Sequence, residues 1–291
     1  MDERKLRYFL AVVSEGTVTR AAAALRVAQP SVSQSLRALE SELGVTLFDR
    51  VGRGLRLSST GREFLVHARQ VVRAIDEARN AVASVHELRA GTLELAALAT
   101  LAVDPMALLI GRFRKRHPEV QVRIRAPDSA HTVSSLLRDG SCELGATVLP
   151  SPASGLLARS LGEQELLFVL PPTGASNRSG PIRARELAGT PFVISPVGTS
   201  TRSLLEEALA AAAVTVRIAV EVSAREAIVP LVLAGAGAAL LPRPLADEAR
   251  RRGAVIRPAA PPITRPIGLL HRDAKLSPAA QAFLALAASR R

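Results

Sequence analysis

The sequence predicts a short helical N-terminal domain, a long connecting helix, and a larger C-terminal region of α/β type. Three observations predict this architecture. Apolar residues recur at helical spacing through residues 2–58, a heptad pattern runs through about residues 60–90, and strand-like and helix-like runs alternate from Gly91 onward. At roughly 150 residues per domain, a chain of 291 residues has room for about two or three such units.

The composition favours an aliphatic core and argues against disulfide or metal chemistry. Hydrophobic residues make up 48% of the chain but aromatic residues only 3%, so aliphatic side chains must fill the interior. The single Cys142 excludes an intramolecular disulfide and a multi-cysteine zinc cluster, and the five histidines lack the spacing of a metal site. We therefore expect no cofactor and no metal.

The N-terminal residues and the hydropathy pattern predict a cytoplasmic protein. The chain begins with a charged amphipathic segment instead of an apolar signal core, and no run of about 18 apolar residues could span a bilayer. The formal net charge of +12 is compatible with binding to nucleic acid but does not locate it. Residues 1–58 hold nine basic and six acidic residues, so most of the excess lies elsewhere.

Residues 18–43 have the layout of a helix-turn-helix, with a short alanine-rich helix, a turn at 26–28 and a third helix from Gln29. Val32, Leu36, Leu39 and Leu43 are expected on the buried side of the third helix. At 100° per residue, the opposite side carries Pro30, Ser33, Gln34, Arg37 and Ser41 within an arc of about 100°. Such groups can read base edges and phosphates in a major groove, although a solvated helix face is the alternative.

The segment after the third helix favours the DNA-binding interpretation. Residues 49–57 predict a tight hairpin, with Gly52 and Gly54 at the turn and Arg50, Arg53 and Arg56 available to phosphates. Three arginines could also form a solvated loop. Beside a recognition helix, we interpret the hairpin as a wing.

Residues 4–65 resemble the N-terminal domain of the LysR-type transcriptional regulators. The match runs without a gap through AAAALRVAQPSVSQSLRALESELGVTLFDR, and the likeness covers essentially the whole chain. It implies a winged helix-turn-helix over 1–58, a linker and dimerisation helix over 59–90, and an α/β effector-binding domain over 91–291. This last domain would have two lobes, as in periplasmic binding proteins, with lobe I at about 91–162 and 266–291 and lobe II at about 163–265.

The resemblance also implies partners and contact residues. It implies a sequence-specific regulator that binds double-stranded DNA and a small-molecule effector of unknown identity, works as a homodimer or homotetramer, and contacts RNA polymerase. The implied DNA contacts are Gln29, Pro30, Ser31, Ser33, Gln34, Arg37, Arg50 and Arg53. Because relatives often carry a longer basic side chain at position 34, Gln34 implies a different base preference.

The connecting helix carries a heptad seam that predicts a dimer. Thr60 and Glu63 stand at capping-box spacing at its start. The seam comprises Phe64, Ala68, Val71, Ile75, Ala78, Val82 and Val85. A helix lying on its own domain is the alternative.

Hydroxyl residues at the predicted strand ends of the C-terminal region indicate the effector site, since ligands of open α/β folds bind there. They are Thr100, Ser129, Thr199, Ser200 and Ser223. Each alone could be a plain N-cap. The resemblance makes Thr100 the strongest candidate to bind an effector carboxylate. Two departures, Ala96 and Pro127-Asp128 where relatives carry glycine, leave the effector chemistry open, because a carboxylate at Asp128 disfavours an anion.

Two other classes of protein remain as alternatives. An enzyme with an appended helix-turn-helix would need a nucleophile and a base, but the sequence has no GxSxG, P-loop or GxGxxG motif. A free-standing solute-binding protein is disfavoured by residues 1–58 and by the lack of a signal segment. We therefore expect a regulator and not an enzyme.

Overall fold

The computed structural model of the chain describes residues 1–51, 54–83, 91–151, 155–172 and 180–288. Two compact units account for the chain. The smaller holds Met1–Thr92 with His117–Gln121 and Arg138–Cys142, and the larger holds Leu93–Arg116, Val122–Leu137 and Glu143–Arg291.

Three helices open the N-terminal unit, and local capping chemistry sets their ends. They are α1 (Glu3–Glu15), α2 (Val18–Leu25) and α3 (Gln29–Leu43). The Asp2 carboxylate accepts a hydrogen bond from the Lys5 N–H at 2.9 Å, and the Thr17 hydroxyl caps α2 in the same way. Gly16 ends α1 in the left-handed region at φ 71°, where glycine has no Cβ penalty.

The core of this unit lies between the apolar stripes of α1 and α3. Leu6, Phe9, Val12, Val32, Leu36 and Leu39 are buried in it. The expectation for Leu43 was wrong, because its side chain is 36% exposed. Leu43 is the last residue of α3, and the chain turns away at Gly44, beyond the reach of the core.

A two-stranded hairpin follows α3 and confirms the predicted wing. Strands β1 (Phe48–Val51) and β2 (Gly54–Leu57) are antiparallel, with Phe48 opposite Leu57 and Val51 opposite Gly54. Gly52 and Arg53, at the tip, lie outside the described residues. The Glu40 carboxylate accepts hydrogen bonds from the N–H groups of Leu47 (2.8 Å) and Phe48 (3.3 Å), which ties the wing to α3.

The long helix α4 spans Ser59–Ala83, and residues 84–90 lie outside the described part of the chain. Its N-cap is Ser58, whose hydroxyl accepts from the Gly61 N–H at 2.9 Å. The predicted capping box from Thr60 was therefore wrong. The Thr60 hydroxyl instead donates to the carbonyl of Thr46 at 2.7 Å, outside the helix.

The first turns of α4 pack on the N-terminal core. Leu65, Ala68 and Val72 are buried there, and Phe64 packs edge-on against Phe9. Two predicted seam positions, Phe64 and Ala68, therefore pack within the N-terminal unit itself. Val71 is 39% exposed, the side chains of Ala78 and Val82 are not described, and Val85 lies outside the described residues.

The C-terminal unit is α/β, as the alternation of segments predicts. Its strands are β3 (Gly91–Ala97), β4 (Val120–Arg125), β5 (Leu144–Val148), β6 (Leu156–Leu170), β7 (Pro191–Ile194), β8 (Arg217–Glu221), β9 (Ala239–Pro242) and β10 (Val255–Arg272). Its helices are α5 (Ala99–Leu101), α6 (Ala107–Arg116), α7 (Ala130–Arg138), α8 (Ser200–Ala211), α9 (Ile228–Leu233), α10 (Arg243–Arg251) and α11 (Pro278–Ala288), with shorter turns at Ala102–Met106, Ala184–Leu187 and Arg225–Ala227.

Two long antiparallel strands join the two lobes of this unit. The main sheet has the order β4-β3-β5-β10-β6-β9, and β7 pairs in parallel with β8 in a second sheet. Strand β10 pairs with β5 only near its C-terminal end. It pairs with β6 near both of its ends. The predicted lobe boundaries, 162/163 and 265/266, fall inside β6 and β10, where Glu163 lies opposite Pro266.

The return of the last helix to the first lobe agrees with the expectation from the resemblance. Phe283 of α11 packs edge-on against Phe113 of α6, with ring centroids 5.4 Å apart. In the second lobe, Phe168 of β6 packs against Phe192 of β7 at 6.3 Å. Each lobe therefore has its own apolar core, and β6 and β10 run between them.

Candidate functional site

The exposed face of α3 is polar and lies opposite its buried stripe. Gln34 and Arg37 are exposed, and Ser33 is half-buried. Gln29, Pro30 and Ser31, in the first turn, are also exposed. No acidic residue occurs between positions 29 and 39, so no negative charge of the helix opposes a phosphate there.

The wing places further positive charge after this helix. Arg50 on β1 and Arg56 on β2 are exposed and belong to neighbouring cross-strand pairs, Arg50 with Leu55 and Arg56 with Asp49. Arg53 was predicted to approach DNA, and it lies outside the described residues. The described part of the unit thus holds a polar helix face and two exposed wing arginines.

A cavity of about 420 Å³ lies among the helix and strand ends of the C-terminal unit. Its volume falls in the range of small-molecule sites in proteins. The apolar lining includes Val103, Ile194, Leu205, Ile228, Leu240 and Leu245, and the polar lining includes Thr100, Ser195, Thr201, Arg202 and Arg225. The cavity therefore suits a ligand with an apolar body and at least one polar group.

The five predicted effector residues divide into two groups. Among the described residues, the cavity lining includes Thr100. The hydroxyls of Ser200 and Thr100 accept hydrogen bonds from one shared donor, which is described below. Ser129 caps α7, since its hydroxyl accepts from the Thr132 N–H at 3.2 Å. The Thr199 hydroxyl bonds to the Ser195 hydroxyl and donates to the Pro196 carbonyl, and Ser223 is exposed.

The shared donor is Arg265, which the sequence analysis missed. Its side chain is 1% exposed and stands on β10 directly opposite Gln164 of β6. Its guanidinium donates to the hydroxyls of Thr100 (2.8 Å) and Ser200 (2.7 Å) and twice to Gln164 Oε1 (2.6 and 3.0 Å). Thr100 follows β3 in the first lobe and Ser200 begins α8 in the second, so one side chain connects both.

The direct hydrogen-bond partners of Arg265 are neutral, although its own side chain is charged. All three of its partners are uncharged, and no carboxylate of the described residues forms an ion pair with it. Burial, together with a smaller contribution from the positive charge of Arg225, lowers the pKa of the Arg265 guanidinium to about 10. The group stays protonated near neutral pH, and the Asp104 carboxylate is linked to it only through Gln164, whose Nε2 donates to Asp104 Oδ2 at 3.3 Å.

Arg225 links the two lobes a second time. Its Nη2 lies 3.2 Å from Asp128 Oδ1 in the first lobe, so the carboxylate that was expected to disfavour an anion is paired with a cation. The Nε of Arg225 is buried and has no hydrogen-bond partner among the described residues. The same holds for the Thr201 hydroxyl, and both residues line the cavity.

Among the described residues, histidine, cysteine and acidic side chains form no cluster that could hold a metal ion. Cys142 is buried and forms no disulfide bond. A search of the same residues for a helix long and apolar enough to cross a membrane found none.

Family models match both parts of the chain. Residues 4–62 match the model described as a bacterial regulatory helix-turn-helix protein of the lysR family, and residues 86–291 match the LysR substrate binding domain. The chain is 31% identical to the HTH-type transcriptional regulator IlvR of Caulobacter vibrioides, over 98% of this chain and 97% of the relative. It is 29% identical to the transcriptional dual regulator GltC of Bacillus subtilis, over 97% and 95%.

Solved structures share the fold. A full-length OxyR variant from Pseudomonas aeruginosa superposes with a TM-score of 0.76 at 24% identity, covering 99% of this chain and 94% of that one. Full-length CbnR in complex with its target DNA gives 0.70 at 22% identity, covering 99% of both chains. Together with the two family models, which span most of the sequence, these likenesses confirm the resemblance inferred from residues 4–65: the chain belongs to the LysR family of transcriptional regulators, with a DNA-binding helix-turn-helix and an effector-binding domain.

Proposed function

We propose that the first turns of α3 enter the major groove and that Ser33, Gln34 and Arg37 contact base edges and phosphates. The observation that carries this proposal is the exposed polar face opposite the buried stripe of Val32, Leu36 and Leu39. An amide such as Gln34 pairs well with adenine, and the arginine pairs with guanine or with phosphate. Gln29, Pro30 and Ser31 contact the adjacent backbone, and Arg50 and Arg53 of the wing contact phosphates.

A gel-shift titration on the promoter region of the protein's own gene tests this assignment. Gln34→Ala should relax the preference between specific and competitor DNA by about tenfold, from about 1–3 kcal/mol per lost base contact. Arg37→Ala should lower affinity on both DNAs and flatten the salt dependence. Arg217→Ala, an exposed arginine of the C-terminal unit, is the charge-matched control. Unchanged affinity and selectivity in both α3 variants would refute the assigned face.

The effector site proposed here lies at the cavity and centres on Thr100 and Ser200. Support comes from their hydroxyls, which share the Arg265 guanidinium although they belong to different lobes. A ligand that bonds to either hydroxyl therefore acts on a contact between lobes. The edge of the site includes Ser129, Thr199 and Ser223. The hydroxyls of Ser129 and Thr199 are not at its centre because they already form hydrogen bonds within their own turns.

Thr100→Val tests the site, because valine keeps the shape of threonine and removes the hydroxyl. We expect this variant to bind DNA normally and to lose the change in DNase footprint that a metabolite panel produces with the unaltered protein. Thr215→Val, on an exposed threonine outside the cavity lining, is the matched control and should keep the full response. A full response in Thr100→Val would exclude Thr100.

The protein acts in the cytoplasm, in this proposal, as a homodimer through α4 that pairs into a homotetramer and contacts RNA polymerase. Val71 supports the dimer, since it is a large apolar side chain left 39% exposed on α4. Val71→Glu should reduce the molar mass in light scattering at micromolar concentration, whereas Val197→Glu, on a more exposed valine, should not. A monomeric unaltered protein would refute the dimer.

A further inference from the structure

Helix α7 of the first lobe has an ion pair beyond each of its ends. The helix spans Ala130–Arg138, which is nine residues and about 13 Å. Before its first turn, Asp128 Oδ1 lies 3.2 Å from Nη2 of Arg225, a residue of the second lobe. After its last turn, Asp139 Oδ1 lies 2.8 Å from Nη1 of Arg69 on α4. One short helix therefore connects a contact between the lobes with a contact to α4.

The contact after the last turn of α7 is the firmer of the two. Arg69 Nη1 also donates to the backbone carbonyl of Asp139 at 2.9 Å, and the Ser141 N–H donates to Asp139 Oδ1 at 2.7 Å. A cation at the C-terminal end of a helix is favoured by the helix dipole as well. Residues Arg138–Cys142 group with Met1–Thr92 in the smaller unit. The last turn of α7 therefore leads into the unit that holds the DNA-binding helix.

The contact before the first turn of α7 is weaker. The Asp128 side chain is 74% exposed, so water and salt screen its attraction to Arg225. The buried Nε of Arg225 has no hydrogen-bond partner among the described residues, which is unfavourable. The charges of Arg225 and Arg265 also repel each other, and this repulsion contributes to the lowered pKa of Arg265. A contact with so little net stabilisation can open while the lobes stay folded.

Between these two contacts, α7 is packed tightly against strand β5. The side chains of Val133 and Leu137 are fully buried. A Cβ on Gly145 of β5 would lie 2.7 Å from Val133 Cγ1 and 2.9 Å from Leu137 Cδ1, so only glycine allows the helix and the strand to approach this closely. Close-packed interiors transmit a displacement instead of absorbing it. The helix and the strand therefore move together, and a shift at one end of α7 reaches the other end.

We propose that α7 transmits the arrangement of the two lobes to the DNA-binding unit through its two ion pairs. The pair of Asp128 with Arg225 opens and closes, and the pair of Asp139 with Arg69 stays formed and passes the movement of α7 to α4. Arg69 follows Ala68, which is buried in the same core as the apolar stripe of the DNA-binding helix, so a pull on Arg69 acts on that core. This inference rests on the proposed function of the lobes as the sensing element, but it requires no particular effector.

Hydrogen exchange of the full-length protein without ligand, measured by mass spectrometry, tests the connection. Arg225→Gln breaks the pair with Asp128 and leaves α7 itself unaltered. We expect exchange in peptides that cover Arg138–Cys142 to change by about two- to fivefold, the range for the loss of one exposed ion pair, and exchange in the middle of α7 to stay the same. Arg243→Gln, which breaks a pair with Glu165 inside the second lobe, is the matched control and should change neither. Unchanged exchange at 138–142 in Arg225→Gln, or an equal change throughout α7, would overturn the proposal.

A double-mutant cycle on DNA binding provides the functional readout. Arg225→Gln and Arg69→Gln should each change the affinity for promoter DNA in a gel shift by about two- to fivefold. The double variant should match Arg69→Gln alone, because α7 has then already lost its contact with α4. Additive effects, or no effect of Arg225→Gln, would contradict the proposal. If Arg69→Gln does not fold, Asp139→Asn takes its place in the cycle. Because no ligand enters these measurements, a footprint that responds to no metabolite would refute the effector site without altering their result.

Discussion

Replacing Gly61 by alanine tests how closely α4 must approach the base of the wing. A Cβ at Gly61 would lie 2.1 Å from the carbonyl oxygen of Leu47 and 3.0 Å from Leu57 Cδ2. The Leu47 backbone cannot move away easily. Its N–H donates to Glu40, and its carbonyl accepts from the Ser58 N–H at 3.0 Å.

Two opposing effects set the size of the change. Alanine is favoured over glycine inside a helix by about 1 kcal/mol. Forcing a methyl group into a closed contact costs about 3 kcal/mol, at the upper end of the usual range, because ordinary contact would require a shift of more than an ångström. We expect Gly61→Ala to lower the free energy of unfolding of the N-terminal unit by about 2 kcal/mol.

Urea unfolding followed by Tyr8 fluorescence measures this change. Tyr8 is the only tyrosine, the chain has no tryptophan, and Tyr8 packs on the N-terminal core, so the signal reports on that unit. The midpoint should fall by about 1 M. The matched control is Gly111→Ala in α6, where a Cβ meets nothing within 4 Å. That variant should gain about 1 kcal/mol in unfolding followed by circular dichroism. A Gly61→Ala midpoint equal to that of the unaltered protein would refute the steric argument.

Two further substitutions have effects that the structure determines. Glu40→Ala removes the acceptor for the N–H groups of Leu47 and Phe48 and should cost about 2 kcal/mol in the same fluorescence assay. Glu42→Ala, whose partners are surface charges, should cost under about 1 kcal/mol; equal losses would contradict the capping role of Glu40. Ala213→Gly should stabilise the C-terminal unit by about 1 kcal/mol by thermal unfolding, because Ala213 sits at φ 52°. A loss of stability there would show that its backbone is not strained.

The N-terminal unit was largely predictable because its signals are local. Val32, Leu36 and Leu39 repeat within one helix, and the turn and wing follow at once in sequence. Burial on one side then determines exposure on the other, which is why the exposed polar face of α3 followed from the pattern. Leu43 also fits the periodic pattern of α3. It is exposed because it lies beyond the last contact between this helix and the core.

The strands that join the lobes could not be predicted in the same way. Strand β10 contains four prolines in 18 residues, and prolines ordinarily argue against a strand. The strand forms because it pairs with β6 on both sides of a register change. This change lies between Pro258 and Ile263, where the prolines cluster. No local pattern carries that information.

Arg265 escaped prediction for a related reason, and its position explains why it matters. Its partners Thr100, Gln164 and Ser200 lie 65 to 165 residues away, so only the folded chain reveals that they meet. It stands on one of the two strands that connect the lobes and bonds to a residue of each lobe. A ligand that takes up the Thr100 hydroxyl therefore acts on the same guanidinium that binds Ser200. Because a ligand shifts an equilibrium only by its differential affinity for two states, such a shared contact is where binding can change the arrangement of the lobes.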